Sequence, residues 1–200
     1  MNSILLQVFG FLILSVALII GTLQTHHTCT FPSSPYPPLP QTVYEEYTET
    51  QPPTKTSFAI IADLQRTYYW ECIIGREVNL DASSTLLNSI ARGSSALAFL
   101  VINGDAIFDG NSYLDWSYFD SIMTPIHSVS LPVLVTLGNH EYWPGLPFLN
   151  GLDKTKEKFQ VLQNLKRTWY SKTFSGIGLI FLDGNYVMMS DRKLKEQVTW

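Results

Sequence analysis

The sequence predicts an α/β domain with a largely parallel sheet, preceded by an N-terminal membrane helix. Three observations carry that prediction. From Ser57 onward, short apolar runs alternate with stretches at helical spacing, the pattern of successive β-α units. Three of the apolar runs end in similar polar tips, at Asp63-Leu64-Gln65, Asn103-Gly104-Asp105 and Gly138-Asn139-His140-Glu141. Before all of this, the 20 residues from Ile4 to Leu23 are almost wholly apolar.

A helix rises about 1.5 Å per residue, so the opening run reaches across a hydrocarbon core of roughly 30 Å. It is longer than the roughly 7–15-residue core of a secretory signal, and no A-x-A-like cleavage site follows it. Residues 1–24 are therefore expected to form a single-pass membrane anchor, with a cleaved signal peptide as the alternative. The domain is expected to be extracytoplasmic, or secreted if the segment is cleaved. No Lys or Arg precedes Lys55, so charge flanking the run does not orient it. Residues 25–56 are rich in proline, with Ser, Thr, Glu and Tyr between. Proline fixes φ and removes backbone donors, so this stretch reads as a semi-rigid spacer. The net charge of -4 argues against a nucleic-acid-binding face. The two cysteines, Cys29 and Cys72, make neither a C-x-x-C pair nor a disulfide framework.

The third segment, residues 57–200, is the globular domain. "SFAIIAD" predicts a strand ending at Asp63. "DASSTLLNSIARG" predicts a helix with capping residues at its start and a glycine stop. "ALAFLVINGD" predicts a second strand, and "DWSYFDSIMTPI" a short helix halted by Pro125. "LPVLVTLGNHE" is a third strand, and "DKTKEKFQVLQNLKR" one further helix. "TWYSKTF" and "IGLIFLD" predict a hairpin around Ser175, Gly176 and Gly178, and a last helix begins near Asp191.

In open parallel sheets, ligands bind beyond the carboxyl ends of the strands. If the three strands lie side by side, Asp63, Gln65, Asp105, Asn139 and His140 share one rim. Carboxylates, amide oxygens and an imidazole together suit divalent metal ions, and two such ions about 3.5–4 Å apart can clamp a phosphate. Any one of these tips taken alone is the ordinary chemistry of a turn. Their recurrence on three successive strands is what points to a site. Arg66 follows the first tip, where a guanidinium suits phosphate. The aromatics after it, up to Trp70, read as a packed loop.

Gly104-Asp105 and the Gly-Asn-His-Glu run, after a strand ending in Asp63, resemble the calcineurin-like metallophosphoesterase superfamily. The resemblance runs from Ser57 to Trp200 and implies an αββα sandwich, of which this chain carries the N-terminal part. It implies a phosphomonoester or phosphodiester substrate, hydrolysed by hydroxide held on two divalent ions (Mn, Fe or Zn). Asp63 resembles a ligand of the first ion, Asp105 the carboxylate bridging both, and Asn139 a ligand of the second. His140 resembles the histidine that contacts phosphate and assists the leaving group, with Asp109 to orient it.

The chain also departs from the family pattern. Asp109 lies four residues after Asp105 where many members place this aspartate at three, and Phe108 occupies that position. Phe108 is not the tyrosine ligand of purple acid phosphatases, so no charge-transfer iron centre of that type is implied. Gln65 stands where the family has the histidine of Asp-x-His; it reads either as a weaker amide ligand or as a rim residue. The later histidine motifs, including Gly-His-x-His, do not occur, although "EQVTW" resembles the stretch that precedes them. Two readings follow: a fragment of an enzyme, or a degenerate relative acting as an inactive membrane-tethered binding module. With those imidazoles missing, the 200-residue chain by itself is expected to show no appreciable phosphatase activity.

Overall fold

The computed structural model describes residues 42–49, 55–68, 71, 80–143, 151–163, 165 and 167–200. The predicted anchor, most of the predicted spacer, both cysteines and the aromatics Tyr69 and Trp70 lie outside them. Among the described residues no helix is long and apolar enough to cross a membrane.

The three predicted strands form one parallel sheet in the order β1-β2-β3: β1 is Ser57–Ile61, β2 Leu97–Asn103 and β3 Val133–Thr136. Ile61 is level with Ile102, and Ile102 with Val135. The three chains therefore leave the sheet together, at one end. The central strand reads Leu-Ala-Phe-Leu-Val-Ile, with Phe99, Leu100 and Ile102 fully buried. Burial on both faces is what a parallel sheet with helical crossovers requires. The crossovers are α1 (Leu80–Arg92) and α2 (Tyr113–Ser128). In α1, Ser83, Leu87 and Ala91 recur every four residues and face the core. In α2, Ser112 caps the start by accepting the Asp115 N–H at 3.2 Å.

The helix expected to stop at Pro125 continues to Ser128. Proline removes one backbone donor, at a cost of about 3 kcal/mol in a helix interior. The buried stripe Ile122, Met123 and Ile126 runs past it, and that packing holds the final turn. The single helix expected over 153–167 is instead two short ones, α3 (Leu152–Lys158) and α4 (Gln160–Gln163). They break at Phe159, which takes extended angles (φ -116°, ψ 113°) and pairs with Tyr44 as an isolated parallel bridge. Tyr44 N–H donates to Lys158 O at 2.8 Å and Gln160 N–H to Tyr44 O at 3.0 Å. Phe159 is fully buried beside Tyr44, Trp116 and Phe119. Helical geometry would lose this bridge.

Residues 42–49 belong to the spacer on the sequence reading, yet they pack against the domain. Tyr44 and Tyr47 are buried, and the Tyr44 hydroxyl donates to Asp120 at 3.0 Å, beside the Asp120–Lys158 ion pair. Val133 N–H donates to Glu45 O at 2.8 Å. Proline content is a poor guide here, because the buried aromatics lie after the densest proline run.

The predicted hairpin forms, with β4 (Tyr170–Phe174) antiparallel to β5 (Ile177–Phe181). Ser175 and Gly176 both have positive φ, 49° and 79°, as a two-residue primed turn demands. The Tyr170 hydroxyl donates to Val135 O at 2.7 Å and accepts Val135 N–H at 3.0 Å. It thereby satisfies both backbone groups at the outer edge of β3. Phe174 joins Tyr47, Phe58 and Phe99 in an aromatic cluster over the sheet. The last helix, α5 (Asp191–Thr199), is capped by Ser190 and has no buried residue.

These contacts make Tyr44 part of the core rather than of a spacer. Tyr44→Ala should lower the unfolding free energy by about 3 kcal/mol, as for other buried aromatics. A urea melt checks this; a midpoint unchanged from wild type would restore the spacer reading.

Candidate metal centre

The loops leaving β1, β2 and β3 are stitched together by their backbones. Asp63 N–H donates to Gly104 O at 3.3 Å and Gln65 N–H to Asp105 O at 3.2 Å. His140 N–H donates to Asp105 Oδ1 at 3.2 Å. Asp63, Gln65, Asp105 and His140 are thus brought to one rim, with Asn139 adjacent in the chain. Gly104 and Gly138 meet where the two later loops touch. A Cβ on Gly104 would lie 2.9 Å from Gly138 Cα, and one on Gly138 would lie 2.0 Å from Asp105 Oδ1. Only glycine allows that approach.

Two of the candidate ligands sit on strained backbone. Asp63 has φ 55° and Asp105 φ 52°, a region that costs a non-glycine residue on the order of 1 kcal/mol or more. Such outliers concentrate at functional sites. Asp63 and Asn139 are exposed, while Gln65, Asp105 and His140 are half-buried. The Gln65 side-chain oxygen is enclosed, with no hydrogen-bond partner among the described residues.

Glu141, quoted in the motif but given no role by the sequence, closes the site from below. It is fully buried. Its carboxylate accepts N–H bonds from Ala106 at 2.7 Å, Gly138 at 2.7 Å and Asp105 at 3.1 Å. Burial and the neighbouring Asp105 charge push its pKa up to about 7, against the pull of the three donors.

His140 is oriented by a group other than the one expected. Its Nδ1 lies 2.6 Å from Phe108 O. A carbonyl can only accept, so Nδ1 carries a proton and Nε2 is left for the substrate side. Asp109 instead accepts Asn111 N–H at 2.8 Å, and its own N–H donates to Asp115 at 3.0 Å. The one-residue displacement of this aspartate puts the Phe108 carbonyl where a carboxylate was expected. The Phe108 ring also lies 4.8 Å from the His140 ring and stacks on Tyr68 at 4.2 Å.

Arg66, expected to meet phosphate, is ion-paired to Asp115 through Nε, and its Nη2 donates to Tyr68 at 3.2 Å. Asp115 is almost fully buried and also accepts from Tyr68. It ties the β1 loop to the start of α2. Nothing in the sequence distinguishes Asp115 from an ordinary first-turn acid.

The pattern of the calcineurin-like phosphoesterase family matches residues 56–200, and the chain belongs to that family. Members of that family are described as phosphoesterases. No curated protein matches the sequence. Among solved structures, the chain is similar to a purple acid phosphatase, PPD1, isolated from yellow lupin (Lupinus luteus) seeds. That match is 19% identical, covers 57% of this chain and 22% of that one, and has a TM-score of 0.39. The chain spans about a fifth of the length of the lupin protein.

Asp63, Gln65, Asp105 and Asn139 offer carboxylate and amide oxygens at the rim, donors of the kind divalent ions take. Among the described residues no three His, Cys, Asp or Glu side chains gather closely enough to hold an ion by themselves. The Gln65 oxygen, enclosed and without a hydrogen-bond partner among the described residues, is an available oxygen donor at the rim.

Glu141 also gives the metal-free domain a pH dependence. Its folded pKa is raised above the ordinary 4.5 to about 7. The folded state therefore binds more protons than the unfolded state between those values, and stability falls as pH rises through the window. The loss from pH 4.5 to 8 is on the order of 3 kcal/mol. Denaturation in chelator across that range should show the decline, and Glu141→Gln should flatten it. A profile of equal slope in the variant assigns the dependence elsewhere.

Proposed function

We propose that this chain supplies the Asp63, Gln65, Asp105 and Asn139 side of a two-ion centre that hydrolyses a phosphomonoester or phosphodiester. The observation that carries the reading is the convergence of three strand ends on one rim, with Gln65 Oε1 enclosed and unpartnered among the described residues. When bound, the ions supply charge neutralisation for phosphate and an acidified water at neutral pH. The chain's own residues do the rest. Asp105, central on the rim, is the bridging candidate. Asp63 and Gln65 would hold one ion and Asn139 would serve the other. Two carboxylates and two amide oxygens form an oxygen-rich set, which favours Mn over Zn. His140, with its Nδ1 proton held by Phe108, presents Nε2 to the phosphate or to the departing oxygen. Protonated at both nitrogens, it donates from Nε2 to the leaving group.

Manganese titration by calorimetry tests this on the chain itself. Asp105→Ala should weaken binding most, and Gln65→Ala by about tenfold, a loss comparable to that of a supporting group. Gln65→His should tighten it, since imidazole binds transition ions better than an amide. Equal affinities for wild type and both Gln65 variants would remove Gln65 from the ligand set. Absence of binding in all of them would favour the alternative, an inactive binding module with the same fold.

The reading extends to the apolar run Ile4–Leu23, which we take as a single-pass anchor tethering an extracytoplasmic domain, or as a cleaved signal of a secreted one. Removing residues 1–23 should release the protein from membranes without detergent. If the truncated chain still resists alkaline extraction, the run is not what holds it there.

A further inference from the structure

Some 45 residues after the motif, a second set of side chains grips the same loop from the opposite side. Asn185 Nδ2 donates to Leu137 O and to Gly138 O, both at 3.0 Å. Asp183, almost fully buried, accepts Asn185 N–H and Nδ2, each at 3.0 Å, through Oδ1. Through Oδ2 it accepts the hydroxyls of Tyr142 and Thr168. Asp183 is itself locked in place. Its N–H donates to Gln197 Oε1 at 2.9 Å, and its C=O accepts from Gln197 Nε2 at 3.0 Å. One carboxylate thus reaches both ends of the loop, Tyr142 directly and Leu137-Gly138 through Asn185.

We propose that Asn185, held by Asp183, is a positioning residue for Asn139. The Gly138 carbonyl and the Asn139 N–H belong to one planar peptide unit. Fixing that carbonyl fixes the plane from which the Asn139 side chain departs. Gly138 is held at both of its backbone groups: Glu141 takes its N–H from the β2 side, and Asn185 takes its C=O from the β5 side. The backbone that leads into Asn139 is thus bonded from both sides. An amide is the group suited to this task, because the two Nδ2 protons are shared among three acceptors, the Leu137 and Gly138 carbonyls and Asp183 Oδ1. The role of Asn139 as a metal ligand rests on the function proposed above; the immobilisation of its peptide does not.

The experiment has two arms. Hydrogen exchange on the metal-free protein reads the loop alone. Asn185→Ala, and the isosteric Asn185→Asp that removes the donor, should speed exchange of the Gly138, His140 and Tyr142 amides by about tenfold, with the β2 amides unchanged. Uniform acceleration across the sheet, or no acceleration at the loop, overturns the positioning role. Asp183→Asn serves as the third variant should Asn185→Ala fail to fold, and the same loop amides should respond. Calorimetry with Mn²⁺ reads the second arm, where both Asn185 variants should bind at least about tenfold more weakly, as for other groups that orient a ligand. Local loosening with wild-type Mn²⁺ affinity overturns the link from Asn185 to the metal through Asn139. Failure of the wild type itself to bind Mn²⁺ overturns the metal reading, and leaves the exchange data to decide the positioning.

Discussion

The site depends first on one buried carboxylate. Glu141 accepts three backbone N–H groups, two from the β2 loop and one from the β3 loop. Each of those amides lies beyond the end of its strand, outside the ladder. Left unpaired in the interior, each would cost about 1–3 kcal/mol. A neutral side chain of the same size has fewer acceptor sites, so the carboxylate is the economical solution even though burying it is unfavourable. The rise of its pKa to about 7 is the visible trace of that opposition.

With the two loops fused, the close glycine contact and the backbone strain become tolerable. Gly138 packs onto Asp105, and Asp105 adopts a left-handed angle that would relax in a free loop. Asp63 does the same next door, its N–H tied to Gly104. Strain of this kind persists only where surrounding bonds over-determine the backbone. Here they do so from two sides, Glu141 beneath and the Asp183-Asn185 pair beyond β3. The hairpin and α5 contribute to the site by carrying that pair, although no residue of α5 is buried.

The sheet and its polar rim were legible because both follow from local chemistry. Apolar runs of the right length announced the strands, and Gly, Asp and Asn at their ends announced the turns. What the sequence concealed were choices made by distant partners. Nothing near Phe159 says that Tyr44 will pull it out of a helix. Nothing near Pro125 says that Ile126 will be buried deeply enough to carry the helix onward. The same holds in the site. Arg66 was assigned by proximity to the rim, but Asp115, brought in by α2, claims it. Asp109 follows from the family resemblance although it lies one position beyond the usual spacing, and the Phe108 carbonyl takes its place behind His140. Asn185 and Asp183 carry no motif at all, and only the folding back of the segment after β5 places them beside the loop.

That substitution of a carbonyl for a carboxylate has a consequence for how the rim works. A carboxylate beside Nδ1 would add a full negative charge behind the imidazole, whereas Phe108 offers only a dipole. Asp105 meets His140 only at its backbone, accepting the N–H through Oδ1. The candidate bridging ligand and the candidate leaving-group histidine are therefore joined by a direct bond. A shift of Asp105 moves the His140 backbone, and a shift of the Gly138-Asn139 peptide moves both. Fixing the distance between the candidate ligands and Nε2 requires that the loop be held at both flanks, and Glu141 and Asn185 bond it from both.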